Sequence, residues 1–208
     1  MGLIFDIGAN MGAFTKTWRK VNEHTKVICV EANPELIKPL QGLFYGDKNV
    51  TIINKLVSDK AGVKVNFYVN DNHVISTAST DWIDNSRFKD RYSHCKVIEV
   101  ETTTLDELIK EYGEPNFIKI DVEGYEYEVL KGLNTKQNQI CFEFTEERIT
   151  EVVRCCKHLI NLGYTNFGYL FRDDYLNFPE IYTAFHEMDL WNKININGSS
   201  KWGNIYCK

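Results

Sequence analysis

The feature that most constrains this chain is an alternation of short β-type runs with helical patterns. An apolar run over Leu3–Ile7 ends in a glycine-containing turn and gives way to a helical stretch from Ala13 to about Val21. Residues 27–30 form the next apolar run, closed by Glu31, after which Asn33-Pro34 reads as helix N-cap and first helical position. Leu36, Leu40 and Leu43 continue that helix on one face, with Pro39 expected to kink or stop it. Residues 50–57 read as a third strand, and residues 63–69 alternate like a half-buried one.

Residues 71–95 are polar, with Trp82, Phe88 and Tyr92 scattered through them, and read mostly as loop. Order returns at residues 97–100. Thr104-Leu105-Asp106-Glu107 is a capping box opening a helix that Gly113 stops. Phe117–Ile120 is a strand ending in Asp121-Val122-Glu123-Gly124, followed by a short helix to Leu130 and a strand at residues 140–144. Ile149, Val152, Val153, Cys156, Leu159 and Ile160 then mark the clearest amphipathic helix, stopped by Gly163. Residues 164–171 and 204–207 read as closing strands. Such alternation implies an α/β fold, a mostly parallel sheet with helices on both faces. With no repeat and no linker-like stretch, one domain over residues 1–208 is expected.

Composition excludes several classes. The chain has 24 Lys plus Arg against 29 Asp plus Glu, a formal charge of −5, and is 43% hydrophobic, which rules out intrinsic disorder. No apolar run approaches the ~20 residues of a membrane span, and no basic-then-apolar signal segment is present. An acidic balance disfavours nucleic acid as a partner. The six cysteines include no C-x-x-C pair, so neither a zinc site nor a thioredoxin-type site is supported. They read as reduced thiols, and a cytoplasmic location is expected.

In an open parallel sheet, ligands bind at the carboxyl ends of strands. Three polar clusters fall at such ends: Asp6 to Gly12, Glu31, and Asp121 to Gly124. In Asp6-Ile7-Gly8-Ala9-Asn10-Met11-Gly12, Gly8 allows a tight turn and Gly12 lets the helix start close to a ligand. Asn10 stands where many such loops have glycine, and asparagine tolerates left-handed backbone best among the other residues. A plain βα turn would carry the same glycines. Glu31, 19 residues after Gly12, raises the odds, because an acidic residue there accepts ribose hydroxyls in nucleoside-binding α/β folds. A pyrophosphate would be repelled by Asp6, whereas the ammonium of an amino-acid-bearing nucleoside would be attracted. The charge pattern therefore favours S-adenosylmethionine over NAD.

Asp6-Ile-Gly-Ala-Asn-Met-Gly-Ala-Phe-Thr15, Glu31-Ala-Asn-Pro34, Thr104-Leu-Asp-Glu-Leu108, and Ile118-Lys-Ile-Asp-Val-Glu-Gly-Tyr-Glu126 with Val129-Leu-Lys-Gly132 together resemble the FkbM family of S-adenosylmethionine-dependent methyltransferases. The ordered set spans residues 3 to about 147, and the block at 118–126 is its most specific part. The resemblance implies a class I methyltransferase fold, Rossmann-like with a seven-stranded sheet. It also implies O-methylation of a hydroxyl on a sugar, glycan or similar small polyol, leaving S-adenosylhomocysteine. The family's usual segment before the first strand is missing, so the chain reads as a minimal version or a domain excised from a longer polypeptide, with other glycan-processing domains as expected companions. Ala32 replaces the family's common proline and should leave Glu31's role intact.

By the same resemblance, Asp6, Gly8, Asn10 and Gly12 hold the methionine end, Glu31 holds the ribose, and Ser58 or Asp59 reaches the adenine amine. Asp121 is the first candidate for general base or acceptor-oxygen anchor, and Glu123 for orienting a sugar hydroxyl. His73 is the second candidate base, since the corresponding family loop approaches the active site. Glu143 is placed to face the pocket. Late aromatics, among them Tyr175, Phe178, Trp191 and Trp202, together with Arg172, Asp173 and Asp174, are candidates for sugar contacts, with core packing the plainer reading. Asp121, Glu123 and a histidine could form a metal site, but no ligand spacing compels one. An RNA methyltransferase, a catalytically silent S-adenosylmethionine-binding module and a nicotinamide dehydrogenase are the rival readings.

Overall fold

The computed structural model describes residues 2–171, 177–187, 190 and 202–208. In chain order, β1 (Leu3–Ile7), α1 (Ala13–Val21), β2 (Lys26–Val30), α2 (Pro34–Leu43) and β3 (Val50–Ile53) form the first half of the main sheet. A small excursion follows: β4 (Leu56–Val57), β5 (Lys64–Val69), α3 (Thr80–Asn85) and β6 (Lys96–Thr103). The chain then adds α4 (Leu105–Tyr112), β7 (Phe117–Ile120), α5 (Glu126–Lys131), β8 (Ile140–Thr145), α6 (Ile149–Asn161), β9 (Phe167–Phe171) and β10 (Trp202–Cys207). The seven-stranded sheet has the order β3-β2-β1-β7-β8-β10-β9, with β10 antiparallel to both its neighbours and the pairs from β3 through β8 parallel.

The central strands β1, β2, β7 and β8 are buried on both faces, which is why they read as continuous apolar runs and not as alternating ones. On one face Phe5, Ile118, Phe142 and Phe144 pack against Leu105 and Leu108 of α4, Val129 of α5 and Val152, Cys156 and Leu159 of α6. On the other, Ile4, Val27, Cys29 and Phe117 meet Phe14 of α1 and Leu40 of α2. Helices thus cover both faces, and the order reverses at β1, so the ends of β2, β1 and β7 flank a switch point.

Three expectations are refined here. Pro39 does not stop α2, which continues to Leu43; Pro39 and Glu35 lie on the exposed side, where the carbonyl deprived of its donor can face water. Residues 50–57 are two strands in two sheets, because Asn54 Nδ2 donates to the carbonyls of Glu31 (2.9 Å) and Ala32 (3.1 Å) and turns the chain out of the main sheet. Residues 71–95 are not wholly loop: they hold short 3-10 turns at His73–Ile75 and Lys89–Arg91 and the helix α3, capped by Ser79, whose Oγ accepts from Trp82 N at 3.1 Å. Trp82, wholly buried, packs with Ile75 and Tyr92 into a core of this segment's own.

Candidate active site

A cleft of about 610 Å³ opens at the carboxyl ends of β1, β2, β7 and β8, within the range typical of small-molecule sites. Its floor on one side is the loop after β1. Gly8 and Ala9 donate to the Val30 carbonyl at 2.9 and 3.1 Å, tying the loop to the end of β2. Gly8 has φ +78°, and a Cβ there would lie 1.8 Å from the Asp121 carbonyl oxygen, so only glycine lets β1 and β7 turn over each other. Asn10 adopts the left-handed conformation expected of it, φ 49°. Gly12 has a packing duty. It does not line the cleft; a Cβ there would meet Phe44 at 2.8 Å and Leu40 and Leu43 at 3.0 Å, so it lets α1 pack on α2.

Glu31 lines the cleft with its carboxylate already oriented: Oε2 accepts from Asn10 N and Oε1 from Asn33 N, both at 2.7 Å. Burial pushes its carboxyl up to about 7, against the pull of those two amides. Asp6 is fully buried beneath the loop and does not reach the cleft. Its Oδ2 accepts from the Thr15 hydroxyl at 2.6 Å, while Oδ1 has no hydrogen-bond partner among the described residues. Desolvation raises its pKa, with Lys119 the main opposing influence.

Ser58 and Asp59 are also absent from the cleft lining. Ser58 Oγ lies 3.1 Å from the Tyr125 hydroxyl, and Asp59 faces Lys131 at 3.7 Å, so both serve the junction between β4 and α5.

The opposite wall gathers Asp121, Glu123 and Glu143, whose carboxylate oxygens lie within 4.8 Å of one another. Neighbouring acids are common without a bound ion; Glu143 arrives from the next strand and faces the pocket, as its place near the end of residues 140–144 implied. Asp121 Oδ2 accepts from Lys119 Nζ at 2.9 Å. Glu123, at φ 54°, is held by the Thr77 hydroxyl donating to its carbonyl at 2.8 Å. Burial and the charges of Asp121 and Glu126 drive its carboxyl well above the ordinary range. Glu126 braces the turn, its Oε1 accepting from Val122 N and Gly124 N at 3.2 Å each.

His73 lines the cleft too. Its carbonyl accepts from Asn10 Nδ2 at 3.4 Å, and its buried Nδ1 has no hydrogen-bond partner among the described residues. Phe88, Arg87 and Trp202 also line the cleft. Phe178 instead packs on Trp18, Phe117 and Tyr206. Arg172, Asp173, Asp174, Tyr175 and Trp191 lie outside the described residues. Lys119 and Glu126 were given no role on sequence grounds. Lysine in an otherwise apolar strand, Phe117–Ile120, was the available signal for the first, since an ammonium is rarely buried without partners.

The strand order and the cleft at its switch point define a class I methyltransferase fold. Fibrillarin from Aeropyrum pernix, solved with natively bound S-adenosyl-L-methionine, shares it at a TM-score of 0.52 and 10% identity over 100% of this chain and 66% of its own. Precorrin-6y C5,15-methyltransferase from Geobacter metallireducens is similar over 99% of this chain and 79% of its own, with 10% identity and a TM-score of 0.48. No curated protein matches the sequence. Residues 6–191 match the methyltransferase FkbM domain, and the chain belongs to that family. It is an S-adenosylmethionine-dependent methyltransferase.

Proposed function

We propose that the protein transfers a methyl group to a hydroxyl of a sugar, glycan or similar small polyol. The observation that carries this reading is the make-up of the cleft: an oriented carboxylate, Glu31, and a separate cluster of Asp121, Glu123 and Glu143, with His73 and aromatic rings in the same lining. Glu31 would accept the ribose hydroxyls with the lone pairs its two backbone donors leave free, and the Gly8 to Asn10 loop would take the methionine end. When bound, the cofactor supplies an electrophilic methyl group on a positively charged sulfur.

This chain's residues then have to place an acceptor oxygen in line and remove its proton. Asp121, with one oxygen engaged by Lys119, suits anchoring of the acceptor hydroxyl through the other. The Nδ1 of His73 suits receipt of the proton as the new carbon–oxygen bond forms. Glu123 and Glu143 offer acceptors for neighbouring hydroxyls, and Phe88 and Trp202 offer faces for a sugar ring. The reading treats residues 1–208 as one catalytic domain acting in the cytoplasm; among the described residues no helix is long and apolar enough to cross a membrane.

The test is calorimetric titration of S-adenosylmethionine, S-adenosylhomocysteine and NAD into the wild type and Glu31→Ala, followed by labelled-methyl transfer onto a panel of sugars and glycans. Micromolar binding of the first two, weakened roughly 100-fold in the variant, is expected from the loss of two hydrogen bonds to a charged group. Transfer only to amines would overturn the hydroxyl assignment, transfer only to RNA would overturn the small-polyol acceptor, and either would leave the cofactor assignment standing.

A further inference from the structure

Lys119 is the buried cation of the cleft wall. Its side chain is 7% exposed, with Nζ 2.9 Å from Asp121 Oδ2 and 3.8 Å from Asp6 Oδ1, the oxygen that has no hydrogen-bond partner among the described residues. The other cations among the described residues of the cleft lining are set apart from it. Lys55 and Arg87 are paired with Glu101 and Glu147, and both are more than a third exposed, where water screens their charge. Four carboxylates line the same cleft, Glu31, Asp121, Glu123 and Glu143, with Asp6 directly behind.

Methyl transfer turns a positively charged sulfonium into a neutral thioether. A wall of carboxylates favours the charged donor, and stabilisation that exists before the transition state but fades on the way to it does not accelerate the reaction. We propose that Lys119 sets the cleft's preference between the charged methyl donor and its neutral product, by offsetting Asp121 and Asp6 so that the sulfonium is not held too tightly. The inference rests on the reading that the donor occupies this cleft with its ribose at Glu31. A lysine that merely filled and braced the interior would affect donor and product alike; one that tunes the field changes their ratio.

The experiment measures Kd for S-adenosylmethionine and S-adenosylhomocysteine by calorimetry in the wild type, Lys119→Met, Lys119→Arg and Asp121→Asn, with thermal unfolding of each. Lys119→Met should shift the ratio toward the donor by about 10-fold, the scale of one unit charge acting over a few ångströms through a partly screened interior. Asp121→Asn should shift it toward the product, and Lys119→Arg should stay near the wild type. A ratio unchanged in Lys119→Met, with both ligands still bound, overturns the proposal. Should that variant fail to fold, Lys119→Gln takes its place, an unchanged ratio again overturning the proposal. Failure of the wild type to bind either ligand overturns the underlying cofactor reading instead, a result distinct from any change in ratio.

Discussion

The two ends of the cleft are built by different means. At the Glu31 end nearly everything is backbone: amides of Asn10 and Asn33 orient the carboxylate, amides of Gly8 and Ala9 tie the loop to β2, and all the residues involved lie within one short β-α-β stretch. Around Asp121 and Glu123 the wall is assembled from distant segments by side chains. Thr77 reaches the Glu123 carbonyl, Arg87 pairs with Glu147 at 3.2 Å, and Arg148 bridges Asp81 and the Gly124 carbonyl. A nucleoside common to a whole family can be held by a fixed backbone frame, whereas an acceptor that differs between members calls for a wall that side-chain substitutions can rebuild.

Two substitutions test whether these ends are separable. The largest effect is expected at Gly8→Ala, where the added Cβ runs into the Asp121 carbonyl at 1.8 Å in a backbone conformation of φ +78°. Destabilisation of more than about 4 kcal/mol, read by chemical denaturation or as loss of folded protein, is expected because neither backbone can yield. Trp82→Ala comes next: emptying the core of the 71–95 segment should cost about 3–5 kcal/mol. Yet the affinity of the surviving folded protein for S-adenosylmethionine should change by less than about threefold, since Trp82 touches none of the Glu31 frame. Weakening as severe as that of Glu31→Ala would break the distinction.

The same difference explains what could be read from the sequence. The Glu31 end was legible because its determinants are local: a glycine at a tight turn, an asparagine at positive φ, an acid closing a buried strand. Long-range contacts were not legible: Gly12 packs α1 on α2, Ser58 Oγ meets the Tyr125 hydroxyl, and Asp6 is buried behind Lys119. Residues 71–95 defeated pattern reading because α3 is six residues long, too short for a helical period, and one buried tryptophan organises its surroundings. Glu143 and Glu123 meet only because β7 and β8 pair in parallel.

The gentlest probe is pH, and it separates Glu31 from the turn beneath the opposite wall. Burial raises the carboxyls of both Glu31 and Glu126 from an ordinary 4.5 to about 7. Between those values the folded chain holds protons that the unfolded chain has released, so the free energy of unfolding falls as pH rises from about 4.5 and levels off above about 7. The ligand-free protein should therefore melt several degrees lower at about pH 8 than at about pH 5.5. Glu126→Gln, which keeps an oxygen for the Val122 and Gly124 amides, should remove only part of that slope. Saturating S-adenosylmethionine should remove a different part. Hydroxyls donating to the Glu31 carboxylate favour its charged form and lower its pKa, so affinity for the donor must itself rise with pH through about 7. If the ligand and Glu126→Gln abolish the same part of the slope, the two carboxylates titrate as one unit and the ends of the cleft are electrostatically joined. Additive losses would mean that the backbone-built end takes up its ligand without disturbing the charge balance of the wall that faces the acceptor.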